Sequence, residues 1–294
     1  MAQPLPRREA HRRLGAEDFA FTNDDFSRIA ALLQRQSGIH LQASKASLVY
    51  SRLAKRLRAL GLESFNEYCE LVATDADERM NMLAGLTTNV TRFFREPHHF
   101  EHLRSRVLPP LLESARKGAP VRLWSAGCSS GQEPYSIALT ILSLMPDAAS
   151  RDIKILATDI DPNMVARGRR GIYTPAELRE APADLKRRWF EAAPGDDRGN
   201  LRVKQEMRAL VSFRALNLIG AWPMRGPFHA IFCRNVVIYF DEATQLQLWN
   251  RIAPLLSSEG CLYIGHSERV SGPALGALDS VDITTYRKRS GVRK

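Results

Sequence analysis

Cysteine is scarce and unpaired in this sequence. Four occur, Cys69, Cys128, Cys233 and Cys261, with no CxxC pair. That excludes a disulfide framework and a cysteine zinc site, and it fits a reducing cytoplasm. Long apolar runs are missing too. The longest clean one, Ile137 to Met145, is broken by Thr140 and Ser143, far short of the roughly 20 residues that span a bilayer. The first residues, MAQPLPRREAHRRLG, are basic and lack an apolar h-region. They read as a disordered arm over 1–18 rather than a secretory signal. Acidic excess is absent as well: 42 basic against 32 acidic residues give +10. Such a balance suits an acidic partner, whether nucleic acid, anionic membrane or acidic protein.

What is present falls into two halves. Residues 19–108 read as an all-α domain. FTNDDFSRIAALLQRQSG places Phe26, Ile29, Ala30 and Leu33 on one helical face, with Thr22 or Asn23 as cap and Gly38 as stop. SKASLVYSRLAKRLRALG does the same with Val49, Leu53, Leu57 and Leu60, ending at Gly61. Ser64 and Glu67 form a capping box. Another helix runs through DERMNMLAGL. A further helix begins near Pro97 and should stop before Pro109 and Pro110, which leaves a linker at 109–120.

After Gly118 short apolar runs alternate with helices. The expected strands are 121–126, 153–159, 228–233, 260–266 and 283–288, with helices at 133–145, 162–168 and 242–256. This alternation means a mainly parallel sheet wrapped by helices. Residues 169–215 break the rhythm, and NLRVKQEMRALVSFRALN reads as short antiparallel strands of an inserted β lobe.

The chemistry starts at LWSAGCSSGQEPYS, residues 123–136. Strand, Gly-rich turn and helix form a common nucleotide site, yet the dinucleotide and P-loop patterns both fail. Cys128 and Ser129 stand where GxGxxG needs its second glycine, and Gln132 stands where a P-loop needs lysine. Glu133 guards the helix mouth instead, where it would repel a pyrophosphate. Taken alone, Glu133 is an ordinary helix N-terminal acid. Asp159, at the end of the next strand, adds the acid that holds ribose hydroxyls, although a dehydrogenase would also carry it. A nucleoside without phosphates and with a cationic amino-acid tail describes S-adenosylmethionine.

These segments together resemble the CheR-type chemotaxis receptor methyltransferases, protein-glutamate O-methyltransferases. The likeness rests on TTNVTRFFREPHHF (87–100), AGCSSGQEPYS (126–136), ATDID (157–161), RVKQEM (202–207), ALNL (215–218), IFCRNVVIYFD (231–241) and GHSE (265–268), in family order. Gln132 departs from the second glutamate that many members carry. The resemblance implies an α/β fold of the class I S-adenosylmethionine-dependent methyltransferase type. That fold is a Rossmann-like, mainly parallel seven-stranded sheet with its last strand antiparallel, here with an all-α N-terminal domain and a small antiparallel β insertion. It assigns Asn89, Thr91 and Arg95 to closing over the cofactor, Glu133 to the methionyl end and Asp159 to the ribose. It assigns Asn217 and Leu218 to the adenine, and Arg234 and Asn235 to the methionyl and reacting end. Asn89 as a cap, Arg95 as a partner of Glu96, Asn235 as a turn residue and Leu218 as core stand beside these.

A glutamate carboxylate, with a pKa near 4.3, is already a nucleophile at pH 7, so no general base is needed. Arg95 and Tyr239 are the groups expected to orient it, with a core role for Tyr239 as the competing reading. Five basic residues and no acid lie between Ser44 and Leu60. Arg52, Lys55 and Arg56 are the expected docking residues for the glutamate-rich helical receptor bundle; the bland reading is a solvated face. The β lobe is a second docking candidate, through strand addition. His98 and His102 lie one turn apart with His99 beside them, but no third ligand is evident, and no metal is expected. The chain is expected to be a cytoplasmic monomer recruited to receptor arrays, with no nucleic-acid partner and no membrane insertion. A nucleic-acid methyltransferase and a non-catalytic cofactor sensor are the rivals. RNVVIYF in place of an Asn/Asp-Pro-Pro-aromatic segment ranks the first well below.

Overall fold

A computed structural model describes residues 19–291; the arm read from 1–18 lies outside the described residues. The chain forms two compact units. One runs to Leu32 and resumes over Gln42–Leu86; the other is Leu33–Leu41 with Thr87 onward. The sequence reading put this division near 108.

The first unit is helical. Thr22 and Asp25 cap the helix Asn23–Ser37 reciprocally: the Asp25 carboxylate accepts the Thr22 N–H at 2.9 Å, and Thr22 Oγ1 accepts the Asp25 N–H at 3.1 Å. In the helix Ala46–Leu60 the expected stripe of Val49, Leu53 and Leu57 is fully buried. Leu60 is 39% exposed at its last turn, where Gly61 closes the helix in the left-handed region. Ser64 caps Phe65–Thr74 through the Glu67 N–H, and Ala76–Leu86 completes the unit.

In the second unit the helix that begins at Pro97 does not stop at the prolines. It passes from Pro97–His102 through a wide π turn at Leu103–Val107 into Leu108–Arg116. Pro109 and Pro110 fall in the first turn of that last stretch, where a missing N–H leaves no helical bond unmade. The linker expected at 109–120 is therefore mostly helix.

The strands are β1 Val121–Ala126, β2 Ile153–Asp159, β3 Ile172–Tyr173, β4 Phe190–Ala192, β5 Leu201–Val203, β6 Val211–Ala215, β7 Phe228–Cys233, β8 Leu256–Ile264, β9 Leu278–Asp282 and β10 Thr285–Lys288. Seven make the main sheet, in the order β6-β2-β1-β7-β8-β10-β9. Each pair from β6 to β8 is parallel, and β10 is antiparallel to both neighbours. This is the class I methyltransferase sheet that the resemblance implied. The small sheet β3-β5-β4 is antiparallel. The expected β lobe was drawn too long. β6 leaves it and lies parallel to β2, with Ile155 beside Val211 and Asp159 beside Ala215. It is an edge strand with only Phe213 buried, so its sequence lacks the apolar run of an inner strand. β9 was missed for the same reason, since only its first residue, Leu278, is buried.

Apolar residues pack on both faces of the sheet. Leu123, Ile155, Ala230 and Tyr263 belong to one core, and Trp124, Ile231, Leu262 and Trp249 belong to the other. From β1 the chain winds outward first through β2 and β6, then through β7 and β8. The crevice at the carboxyl ends of β1, β2 and β7 is therefore the topological switch point, where open α/β sheets bind ligands.

Candidate active site

The loops after β1 and β7 meet at those strand ends, each shaped by a residue that cannot relax. After β1, Gly127 sits at φ +78°, and a β-carbon there would collide with the Val236 side chain. The N–H groups of Gly127 and Cys128 both reach the Thr158 carbonyl at 2.8 Å. After β7, Asn235 sits at φ +58°. A β-carbon on Gly265 would strike its side chain. Six described non-glycine residues have positive φ, and four of them, Phe94, Glu96, Ser129 and Asn235, lie in the loops that build this crevice. Strain of that kind costs about 1–3 kcal/mol each and gathers where geometry is functionally constrained.

The charged centre is Arg234, whose side chain is 1% exposed. Its guanidinium lies 3.1 Å from Glu133 Oε2 and 3.3 Å from Glu96 Oε2. It also donates to the Arg95 carbonyl and sits 5.6 Å over the Phe100 ring. Glu133 Oε1 accepts from Ser125 Oγ at 2.7 Å. Among the described residues no other arginine or lysine pairs with either carboxylate. Two carboxylates thus surround one buried cation, leaving about one negative charge unmatched. Burial pushes the Glu133 carboxyl above the usual range, although Arg234 and Ser125 pull it down. Burial also raises Glu96, but Arg234 and His266 outweigh it and hold the group at about 2. The ligand this centre fits is a cation. An ammonium group beside Glu133 would restore the charge balance, whereas a phosphate would worsen it.

Asp159 is buried, 7% exposed. Its carboxylate accepts the Ser129 N–H at 2.7 Å and the Asp161 N–H at 2.9 Å. Burial raises its pKa against those amide bonds. With two bonds accepted, it keeps lone pairs for ligand hydroxyls. Asn89 is tied to the same place: its amide donates to Asp161 Oδ2 at 3.3 Å and its carbonyl accepts from Ser129 Oγ at 3.3 Å. Thr91 lines a small cavity of about 110 Å³ with Arg92, Gln132, Glu177 and Glu180. Gln132 bonds to Ser130 and Glu177 rather than to Glu133 or Arg234, so its departure from the family pattern leaves the charged centre unchanged.

Glu133, Asp159, Arg234, Asn235 and Asn89 therefore gather at one crevice. Other expected residues have structural tasks. The Asn217 amide donates to the Gln36 carbonyl at 2.5 Å, and its side-chain oxygen accepts the Ile219 N–H. Leu218 is buried in the same core as Trp249 and Leu248. The Arg95 guanidinium donates to the Val90 carbonyl at 2.9 Å. Tyr239 packs half-buried against the core, with its backbone carbonyl bound by the His40 N–H. No hydrogen bond or ion pair joins the side chains of Arg95 and Tyr239 to each other or to Glu133.

The expected docking arginines are likewise engaged. Arg56 is paired with Glu78, which Tyr68 and Asn81 also hold at 2.9 and 3.1 Å. Arg52 donates to the carbonyls of Gly85 and Leu86. Both arginines anchor their own unit; Lys55 is exposed.

Sequence reasoning gave no role to Glu268 or Glu96. Buried Glu268 accepts the N–H groups of Asn235, Val236, Val237 and Gly265 at 2.6–2.9 Å. It fixes the loop that carries Arg234. The signal was the GHSE segment itself: a glutamate just after a buried strand end, beside a glycine, is poised to collect loose amides.

Comparison with known proteins finds matches along most of the chain. Residues 24–87 match the family described as CheR methyltransferase, all-alpha domain, and residues 89–286 match CheR methyltransferase, SAM binding domain. A probable chemotaxis protein methyltransferase of Rhizobium etli is 55% identical over 87% of this chain and 96% of that protein. Chemotaxis protein methyltransferase 2 of Pseudomonas aeruginosa is 44% identical over 86% and 89%. The chemotaxis protein methyltransferase of Escherichia coli is 41% identical over 87% of each. Among solved structures, the plantazolicin methyltransferase BpumL in complex with SAH is 14% identical, covering 66% of this chain and 55% of its own, at a TM-score of 0.32.

Proposed function

We propose a reaction from one premise: this chain belongs to the CheR methyltransferase family, and it is an S-adenosylmethionine-dependent methyltransferase of chemotaxis. The reaction is methylation of glutamate side chains on methyl-accepting chemotaxis receptors, giving glutamyl methyl esters. One observation supports the cofactor's seat above the rest: the unmatched negative charge of Glu96, Arg234 and Glu133 at the switch point.

S-adenosylmethionine supplies an electrophilic methyl group when bound. Glu133 and Arg234 would hold the methionyl end, with the ammonium on Glu133, and Asp159 would hold the ribose hydroxyls. Asn89 would close the site through the tie it makes to Asp161 and Ser129. The acceptor carboxylate carries its own nucleophilic electron pair at pH 7, so no side chain needs to remove a proton. The protein's work is positioning and exclusion of water, worth up to about 7–11 kcal/mol. Glu268 contributes by fixing the Arg234 loop. Arg95 and Tyr239 are proposed to orient the incoming carboxylate. The Arg95 guanidinium would leave the Val90 carbonyl to do so, and the Tyr239 hydroxyl, with no partner among the described residues, is free to donate.

For receptor docking, exposed Lys55, together with what remains accessible of Arg52 and Arg56, is the proposed contact with the acidic receptor bundle. Incubation with labelled S-adenosylmethionine and receptor-bearing membranes tests the reading. Base-labile methyl ester on the receptor is expected. Label that appears only on RNA, or on nothing despite cofactor binding, would overturn it.

A further inference from the structure

The start of the helix at Pro97 carries a second cluster, which shares Glu96 with the charged centre and adds two histidines that the transfer reaction does not use. One ligand atom from each of Glu96, His98 and His99 lies within 4.8 Å of the others. Glu96 Oε2, His98 Nε2 and His99 Nδ1 are all buried, and none has a hydrogen-bond partner. Three buried polar atoms without a hydrogen bond at one place call for an explanation.

The opposite atoms of Glu96 and His99 are already held. Glu96 Oε1 lies 3.1 Å from His266 Nδ1 and 3.3 Å from the His266 N–H. His99 Nε2 lies 2.8 Å from Thr284 Oγ1. These contacts are of the kind that orient metal ligands from behind. Glu96 Oε2 and His99 Nδ1 stand 3.5 Å apart. Tetrahedral zinc with bonds of about 2.0–2.1 Å separates its ligand atoms by about 3.4 Å. His99 is 0% exposed.

We infer that Glu96, His98 and His99 form a binding site for one divalent transition-metal ion of the zinc class. Two imidazoles and one carboxylate favour zinc, cobalt or nickel over magnesium or calcium. The fourth position is left to water. No metal was expected from the sequence, and His98 and His102, one turn apart, are not the pair that meets. His102 Nδ1 is bound to the Tyr263 hydroxyl at 3.0 Å, and Glu96 is the third ligand the sequence did not reveal. Arg234, 3.3 Å from Glu96 Oε2, opposes the ion. Its charge is shared with Glu133, so the expected affinity is micromolar rather than that of a closed structural zinc site.

The test uses the full chain after chelator treatment, titrated with Co²⁺ by visible absorption and with Zn²⁺ by calorimetry. One ion per chain is expected. Binding should weaken tenfold or more in His98→Ala and in the near-isosteric Glu96→Gln, with both variants folded by circular dichroism. His40→Ala should bind as the unaltered chain does. No uptake, or uptake equal in all variants, would overturn the site.

Discussion

Each unit of this protein holds a paired arginine, and the two pairs are built to opposite ends. Arg56 meets one carboxylate, Glu78, whose oxygens are further satisfied by Tyr68 and Asn81. Nothing there is left over. Arg234 meets two carboxylates, and its own Nε and Glu96 Oε2 stay without hydrogen bonds. A closed pair serves folding. An open one, with unmatched charge held by strained loops, has its energy to spend on a ligand.

The largest effect should come from the open pair. In Glu133→Gln the binding of S-adenosylhomocysteine, followed by calorimetry, should fall roughly 30- to 100-fold, the worth of a charge-assisted contact of about 2–3 kcal/mol, with thermal stability little changed. The closed pair should behave in reverse. Glu78→Ala should lower unfolding free energy by roughly 2–3 kcal/mol, the lower part of the range for breaking a buried pair because Arg56 is a third exposed. Its S-adenosylhomocysteine affinity should stay within twofold.

Acid sharpens the contrast. His99 takes up a proton near pH 6.5 when unfolded but only at about 3 when folded. Its folded pKa is depressed, so the unfolded chain binds more protons between those values, and stability falls as pH drops through the window. The expected slope from this one group is about 0.7 kcal/mol per pH unit at pH 6.5, rising towards about 1.4 by pH 5. Measured between pH 6.5 and 5, above the window from about 4.5 down to about 2 in which Glu96 loses its contribution, the slope should flatten by that amount in His99→Gln. The smallest effect belongs to the surface. Lys55→Glu should slow receptor methylation a few-fold, less so at high salt, and leave cofactor binding alone.

Much of this was legible in the sequence, and the exceptions share a cause. The strand–loop–helix at 121–144 and the strand ending at Asp159 show themselves because inner parallel strands must be apolar throughout. β6 and β9 hide because edge strands bury one residue each. The helix through Pro109 and Pro110 hides because a π turn resets the first-turn positions, which no local pattern announces. At the site, Glu133 could be read because the loop beside it lacks the lysine of a phosphate binder. Glu96 could not be read, because its role exists only through Arg234, far away in the chain; Glu268 stands in a readable segment beside Gly265, but three of the four amides it holds follow β7. The basic helix misled in part. Its one-signed charge suggested a docking face, but Glu78 and two carbonyls neutralise Arg56 and Arg52 from within the unit.

The most direct measurement is a two-by-two binding cycle by calorimetry: S-adenosylhomocysteine and its analogue lacking the α-amine, each against the unaltered chain and Glu133→Gln. If the unmatched charge seats the ammonium, removing the amine should cost about as much as removing the carboxylate, and should cost almost nothing further in Glu133→Gln. An amine penalty of equal size in both proteins would contradict the account.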